Sequence, residues 1–205
     1  KNYDTTVIIA TLATPPENVL GSFDIHVASS VRRRCQKFNT EIQEFTEKSS
    51  AILFDVEALS SNLGTSRWFN SVYWNVAKLA VSPMCLPLYA DNLARILAAI
   101  RGLSRKVLVL DLDNTIWGGE IGDDGVAGII LGNGDPAGEA YLKVQQTAIK
   151  LWNNGVILAV CSKNSEDIAL EAFDNHPDML LNRNHVSVFQ VNWVDKATNL
   201  EIIAS

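Results

Sequence analysis

Short β-branched runs alternate with amphipathic stretches along this chain, beginning with Thr5–Ala10 (TTVIIA) and Ile52–Val56 (ILFDV), with a polar helical stretch from about Ser30 to Lys48 between them. Strand, helix and strand in that order predict a βαβ unit with parallel strands. Within the helical stretch, Val31, Cys35, Phe38, Ile42 and Phe45 recur at spacings of four and three, which gathers them on one face. The triplet Arg32-Arg33-Arg34 falls mostly outside that stripe and reads as a solvated face. From Leu63 to Tyr89 the periodicity breaks into a turn-rich region whose Trp68, Phe69, Tyr73 and Trp74 are expected to pack in a core or interface in preference to lining a groove. Leu86–Ile100 then predicts a helix with Leu93, Ile96, Leu97 and Ile100 on one side, stopped at Gly102-Leu-Ser104. A domain boundary is expected there, dividing the chain into residues 1–104 and 105–205.

The second half repeats the alternation more clearly. Lys106–Leu112 (KVLVLDL) reads as a buried strand, and the Gly-rich stretch Trp117–Leu131 predicts a hairpin. Pro136–Asn153 predicts a helix with Asp135 as its N-cap and Pro at the first helical position. Strand Val156–Val160, helix Glu166–Asn175, strand Val186–Val191 and a helix from Lys196 onward follow. The expected fold class is α/β, a doubly wound parallel sheet with a small hairpin flap, preceded by a smaller α/β segment. In such sheets ligands bind at the carboxyl ends of the strands, so the residues just after each strand carry the functional expectation.

Composition narrows the classes. With 205 residues, 47% of them hydrophobic and 20% charged, the chain has ample material for a globular core. Seventeen Lys plus Arg against 23 Asp plus Glu give a net charge of -6, which argues against nucleic acid as the main partner. Apolar runs such as Val156–Val160 are far shorter than the roughly 18 residues of a membrane span, so no membrane partner is expected either. Cys35, Cys85 and Cys161 are odd in number and show no CxxC spacing, which speaks against a disulfide framework or a structural zinc and for a reducing cytoplasm. Lys1–Ile9 lacks the order of a signal peptide, and the absent initiator Met and unfinished last helix suggest a piece of a longer protein. His26, His176 and His185 are isolated, and Gly132-Asn-Gly134 with Gly138 is not a dinucleotide fingerprint.

The strand ends bring forward Asp111-Leu-Asp113-Asn-Thr115, then Cys161-Ser162-Lys163-Asn164, then Asn192-Trp-Val-Asp195-Lys196. One carboxylate of an Asp-x-Asp pair can act as nucleophile while its neighbour works as general acid and base. A hard divalent cation such as Mg²⁺ relieves their repulsion, and a lysine adds fixed positive charge for a phosphate. DxDxT after VLVL, a Ser after the next strand and a Lys at a helix start resemble the haloacid dehalogenase (HAD) superfamily. That resemblance implies Asp111 as nucleophile, Asp113 as acid and base, and Asp111 with Asp113 as the Mg²⁺ site. It further implies Lys196 as a catalytic cation, and Thr115, Ser162, Lys163 and Asn164 as the phosphate-binding set. The superfamily's fourth motif, acidic residues after a later strand, does not occur between Lys196 and Ser205.

The longer stretches KVLVLDLDNTIWGGEIGDDG, GEAYLKVQ, LAVCSKN, ALEAFDNHPDM and NWVDKATNL together resemble FkbH-like domains, the branch of that superfamily associated with polyketide biosynthesis. Upstream, DVEALSSNLGTSRWFN, YWNVAKLAVSP and LPLYADNLARIL resemble the SGNH-hydrolase-like region that precedes them; no GDS block is visible, so this half is expected to be non-catalytic. The resemblance implies a glyceryl transferase that removes phosphate from 1,3-bisphosphoglycerate and loads the three-carbon acyl unit onto the phosphopantetheine thiol of an acyl carrier protein. Cys161 then becomes the expected acyl acceptor. A plain Mg²⁺-dependent phosphatase and a non-catalytic carrier-docking module are the competing expectations. In the flap, Asp123 and Asp124 are expected to be turn formers, while Trp117 either shields the phosphate or fills the hairpin core.

Overall fold

A computed structural model describes residues 5–205; the reading of the first four residues as part of a leaderless start lies outside them. The chain divides into two compact units, residues 1–104 and 105–205.

In the first unit, β1 (Ile8–Ala10) runs parallel to β2 (Ile52–Phe54), with Ile8 opposite Ile52 and Ala10 opposite Phe54. The crossover is α1 (Val31–Glu47), started by Ser30, whose hydroxyl accepts from the Arg33 N–H at 3.2 Å. Cys35 and Asn39 are the buried residues of this helix, while Phe38, Phe45 and Val31 stay largely exposed. The expected apolar stripe is thus only partly covered. Three-residue strands span about 10 Å and a 17-residue helix about 25 Å, too little sheet to roof the whole face.

The stretch expected to be turn-rich is mostly helical. After α2 (Val56–Leu63) it forms α3 (Thr65–Trp68) and α4 (Ser71–Ala77) and runs into α5 (Leu86–Ile100). Asp55 caps α2 through the Ala58 N–H at 3.0 Å, and Asn70 caps α4 through Val72 N–H at 3.0 Å, so a polar side chain starts each of these helices. Trp68 is 1% exposed and packs with Phe54, Val56 and Cys85, as its size favours. Tyr73 and Trp74 differ from expectation: they lie on α4, which has no buried residue, and remain about half exposed.

The second unit runs β3 (Val107–Leu110), α6 (Ile121–Gly128), α7 (Pro136–Asn153), β4 (Ile157–Ser162), α8 (Glu166–Asn175), β5 (Val186–Val191) and α9 (Lys196–Ala204). Its sheet is parallel in the order β3-β4-β5, with Leu110 beside Val160 and Ser162 beside Val191. The strands follow one another in a single direction, which is one of the two windings of a doubly wound sheet. Leu112, Ile116, Trp117, Leu158 and Val160 are completely buried beneath α7 and α8.

The expected hairpin Trp117–Leu131 is not formed. Gly118 and Ile130 alone pair there, exchanging bonds of 2.9 and 2.8 Å, and α6 fills the space between, broken at Gly125. The stretch lacks the period-two alternation of strands; instead Ile121, Val126 and Ile129 fold inward onto the core. Gly119 has a φ of +94°, and a Cβ there would stand 2.5 Å from Asp124 Oδ2, which caps the flap by accepting from the Glu120 N–H. Strand β4 also runs further than expected, so Cys161 and Ser162 are its last two residues and not part of a following loop.

Candidate active site

Each strand of the second unit delivers a polar group at its carboxyl end. After β3 the chain places Asp111 and then Leu112, whose fully buried side chain anchors the turn. The Leu112 carbonyl accepts from Thr115 N–H at 3.0 Å and Ile116 N–H at 2.9 Å, closing the loop tightly. Asn114 adopts a left-handed φ of 53°, tolerated by its short amide, and accepts from Gly119 N–H at 3.1 Å.

That tight loop presents two carboxylates with different surroundings. Asp113 Oδ1 accepts from the Trp117 indole N–H at 2.9 Å and from Ile121 N–H at 3.2 Å, and its Oδ2 accepts from Asn164 Nδ2 at 2.9 Å. Three fixed donors leave it one orientation. Asp111 Oδ1 accepts from Leu112 N–H at 2.9 Å, while its Oδ2 accepts from Lys196 Nζ at 2.5 Å. Partial burial pushes the Asp111 carboxyl up, but the hydrogen bonds from Lys196, Ser162 and Leu112 and the Lys196 charge outweigh it, holding the group below the usual carboxylate range.

Lys196 is aimed by the loop that precedes it. Asp195 caps α9 by accepting from Thr198 N–H at 3.0 Å, and bonds from the Thr198 side chain and backbone hold its carboxyl below its ordinary value. Asn192 donates its backbone N–H to the Ser162 carbonyl at 3.1 Å. Its side chain forms a reciprocal pair with Asn199, at 2.9 and 3.3 Å, and Asn199 is 1% exposed. The Asn192 backbone therefore ties the loop before Lys196 to the strand end bearing Ser162, and its side chain ties that loop to α9.

These groups line a cavity of about 590 Å³. Asp111, Asp113, Ser162, Lys163, Asn164 and Lys196 converge on it as the sequence suggests. Thr115 and Cys161 are not part of its wall. Thr115 instead closes the β3 turn through its N–H. Cys161 is 4% exposed within β4, and the alternation of a strand turns it to the face opposite Ser162, away from the position an acyl acceptor needs. Cys161 therefore lies one residue from the cavity wall without being part of it. Asn164 acts on the site through Asp113 and the Ser162 hydroxyl, to which its amide also donates at 3.3 Å. Trp117 is wholly buried in the core and is not part of the cavity wall, so of the two roles offered its placement fits the core and not a shield over the phosphate; its indole N–H also donates to Asp113.

Several contributors carry no local motif. Glu120, Asp123 and Trp193 also line the cavity, although Asp123 reads as a turn former. Gln145 of α7 is completely buried, donating to the Ile116 carbonyl at 2.8 Å and accepting from Leu180 and Leu181 N–H at 2.9 and 3.0 Å. The signal for it is a polar residue on the inward face of an amphipathic helix.

No protein-family model and no curated protein sequence matches the chain. A solved structure does: the chain is similar to the N-terminal part of protein BF1531 from Bacteroides fragilis, described as containing a phosphatase domain complexed with Mg. The likeness has a TM-score of 0.89 at 35% sequence identity over 97% of this chain, which spans 53% of that one. The two share the same α/β fold with parallel sheets.

Proposed function

We propose that the second unit is a Mg²⁺-dependent phosphatase of HAD type, in which Asp111 receives the phosphoryl group of a small phosphorylated substrate. The observation that carries this is the pairing of Asp111 with Lys196 across 2.5 Å, at the strand ends and two residues from a firmly held Asp113. The Mg²⁺ in the similar Bacteroides fragilis structure supports it.

The donor set suits a hard cation. Mg²⁺ is commonly held by one or two carboxylates together with phosphate and water oxygens, and the cavity offers carboxylates and no softer ligand. Asp111 and Asp113 would hold it. Both oxygens of Asp113 and both of Asp111 already accept from protein donors, so a bound cation would share or replace one of these bonds. When bound, the ion neutralises charge on the phosphoryl oxygens.

The chain's own groups supply the rest. A carboxylate oxygen of Asp111 attacks phosphorus and forms an aspartyl phosphate as the bond from phosphorus to the leaving oxygen breaks. Asp113 gives that oxygen a proton, then takes one from the water that cleaves the aspartyl phosphate, restoring both residues. Lys196 and the Ser162 hydroxyl stabilise the phosphoryl charge. The test is phosphate release from acetyl phosphate with Mg²⁺: the wild-type chain should turn over, and Asp111→Asn should lose about 10⁴-fold or more in kcat. Equal rates in the two would overturn the assignment.

A finer reading is favoured by LAVCSKN, where Cys161 directly precedes the phosphate-side Ser162. In it the substrate is 1,3-bisphosphoglycerate, and the glyceryl unit passes through the Cys161 thiol to the phosphopantetheine of an acyl carrier protein in polyketide biosynthesis. The thiolate displaces the C1 phosphate from the acyl carbon, the C3 phosphate ester is hydrolysed by way of Asp111 and water, and the carrier thiol then displaces the Cys161 sulfur. Buried as it is, Cys161 needs the end of β4 to open for that step. Intact mass of the carrier after incubation with enzyme, Mg²⁺ and 1,3-bisphosphoglycerate decides: a three-carbon adduct lost in Cys161→Ala sustains it, whereas free phosphate with an unchanged carrier leaves the phosphatase alone.

A further inference from the structure

The cavity is larger than a phosphate and its cation require, and its outer wall has a distinct chemistry. Trp193 is 75% exposed yet lines the cavity, three residues before Lys196, with Ile168 of α8 as a second apolar lining residue. An exposed indole usually belongs to a mobile segment, but this one sits on a pinned loop. Asn192 bonds to the Ser162 carbonyl through its N–H and to Asn199 through its side chain, and its Oδ1 accepts from Val194 N–H at 2.9 Å. The residues on both sides of Trp193 are therefore held, which fixes the backbone from which the indole projects.

The remaining lining charges say what the indole faces. Beyond the Asp111, Asp113, Ser162 and Lys196 set, Glu120 and Asp123 contribute negative charge against Lys163 alone. A second anionic group on the substrate would meet net repulsion there, whereas an uncharged body would meet a large aromatic surface able to shed water.

We infer that Trp193 is a specificity-determining residue, the surface on which the uncharged organic body of a phosphate monoester lies while its phosphate is held at Lys196 and Ser162. This rests on the phosphatase reading, stands against the doubly phosphorylated substrate of the finer reading, and narrows the substrate class to monophosphates with an apolar or planar body. The probes are phenyl phosphate and methyl phosphate, which share a phosphate ester and differ in body. Phosphate release is measured with Mg²⁺ for the wild type, Trp193→Ala and Trp193→Phe. The kcat/KM ratio of phenyl over methyl phosphate should fall about tenfold in Trp193→Ala, with the loss carried by KM, and be retained in Trp193→Phe. An unchanged ratio, or a loss confined to kcat, overturns the inference while leaving the phosphatase intact. Should the wild type hydrolyse neither ester, calorimetry on Asp111→Asn separates the two ideas. Tighter binding of phenyl than methyl phosphate, abolished by adding Trp193→Ala, then sustains Trp193 and overturns the phosphatase. No preference between the esters overturns Trp193 as well.

Discussion

Asp111 is balanced between burial, which disfavours its charge, and Lys196, which restores it. Because its native carboxyl lies below the ordinary value, the pair contributes stability above about pH 4, where the unfolded chain's carboxylate is ionised, and loses it as pH falls through the lowered native value. Lys196→Met should therefore reduce thermal stability at neutral pH without metal, and the difference from wild type should vanish on acidification. A melting series across pH 2–7 checks this. Gln145 belongs to the same scale: Gln145→Leu leaves the Ile116 carbonyl and the Leu180 and Leu181 N–H groups without partners, with an expected loss of about 3 kcal/mol in urea unfolding. Asp111, Asp113, Ser162 and Lys196 are legible in the chain because their chemistry follows strand ends. The burial of Cys161 is not legible, because β4 runs two residues past Val160 and takes Cys161 and Ser162 into the strand, on opposite faces.

Helices α7, α8 and α9 and strand β5 lie where the pattern puts them: Asp135 and Asp195 cap α7 and α9, Ala169, Ala172 and Phe173 bury one side of α8, and Val186 and Val191 bury the two ends of β5. The flap does not, because five glycines at 118, 119, 122, 125 and 128 dilute any period, and its shape is set by Asp124 and by burial of Ile121. Two helix ends separate stability from positioning. Asp135→Ala removes the 2.8 Å cap on Gly138 N–H and should cost about 1 kcal/mol in unfolding experiments. Asn199→Ala instead frees the loop that aims Lys196, and kcat should fall about 10- to 100-fold. Comparable losses of kcat in both variants would remove the distinction.

Across the molecule, each unit holds its own hydrophobic cluster, centred on Trp68 in one and on Leu112, Trp117 and Leu158 in the other. Mg²⁺ binds only the folded cavity on the phosphatase reading, so a metal concentration near 100 times its Kd should stabilise the chain by about 2.7 kcal/mol. The rise in Tm should disappear with EDTA and be weak in Asp111→Asn. The long-range ties within the second unit, Gln145 to two loops and Asn192 to Asn199, are those least visible from the chain, because neither end of such a bond marks its partner. Gln145 makes this consequential for any library of variants. One amide serves a carbonyl and two N–H groups, so Glu lacks the donor, Leu lacks both, and Asn falls one methylene short. A growth-based screen would then rank position 145 beside Asp111 although Gln145 is not part of the cavity wall, and only the abundance of soluble protein would tell the two kinds of loss apart.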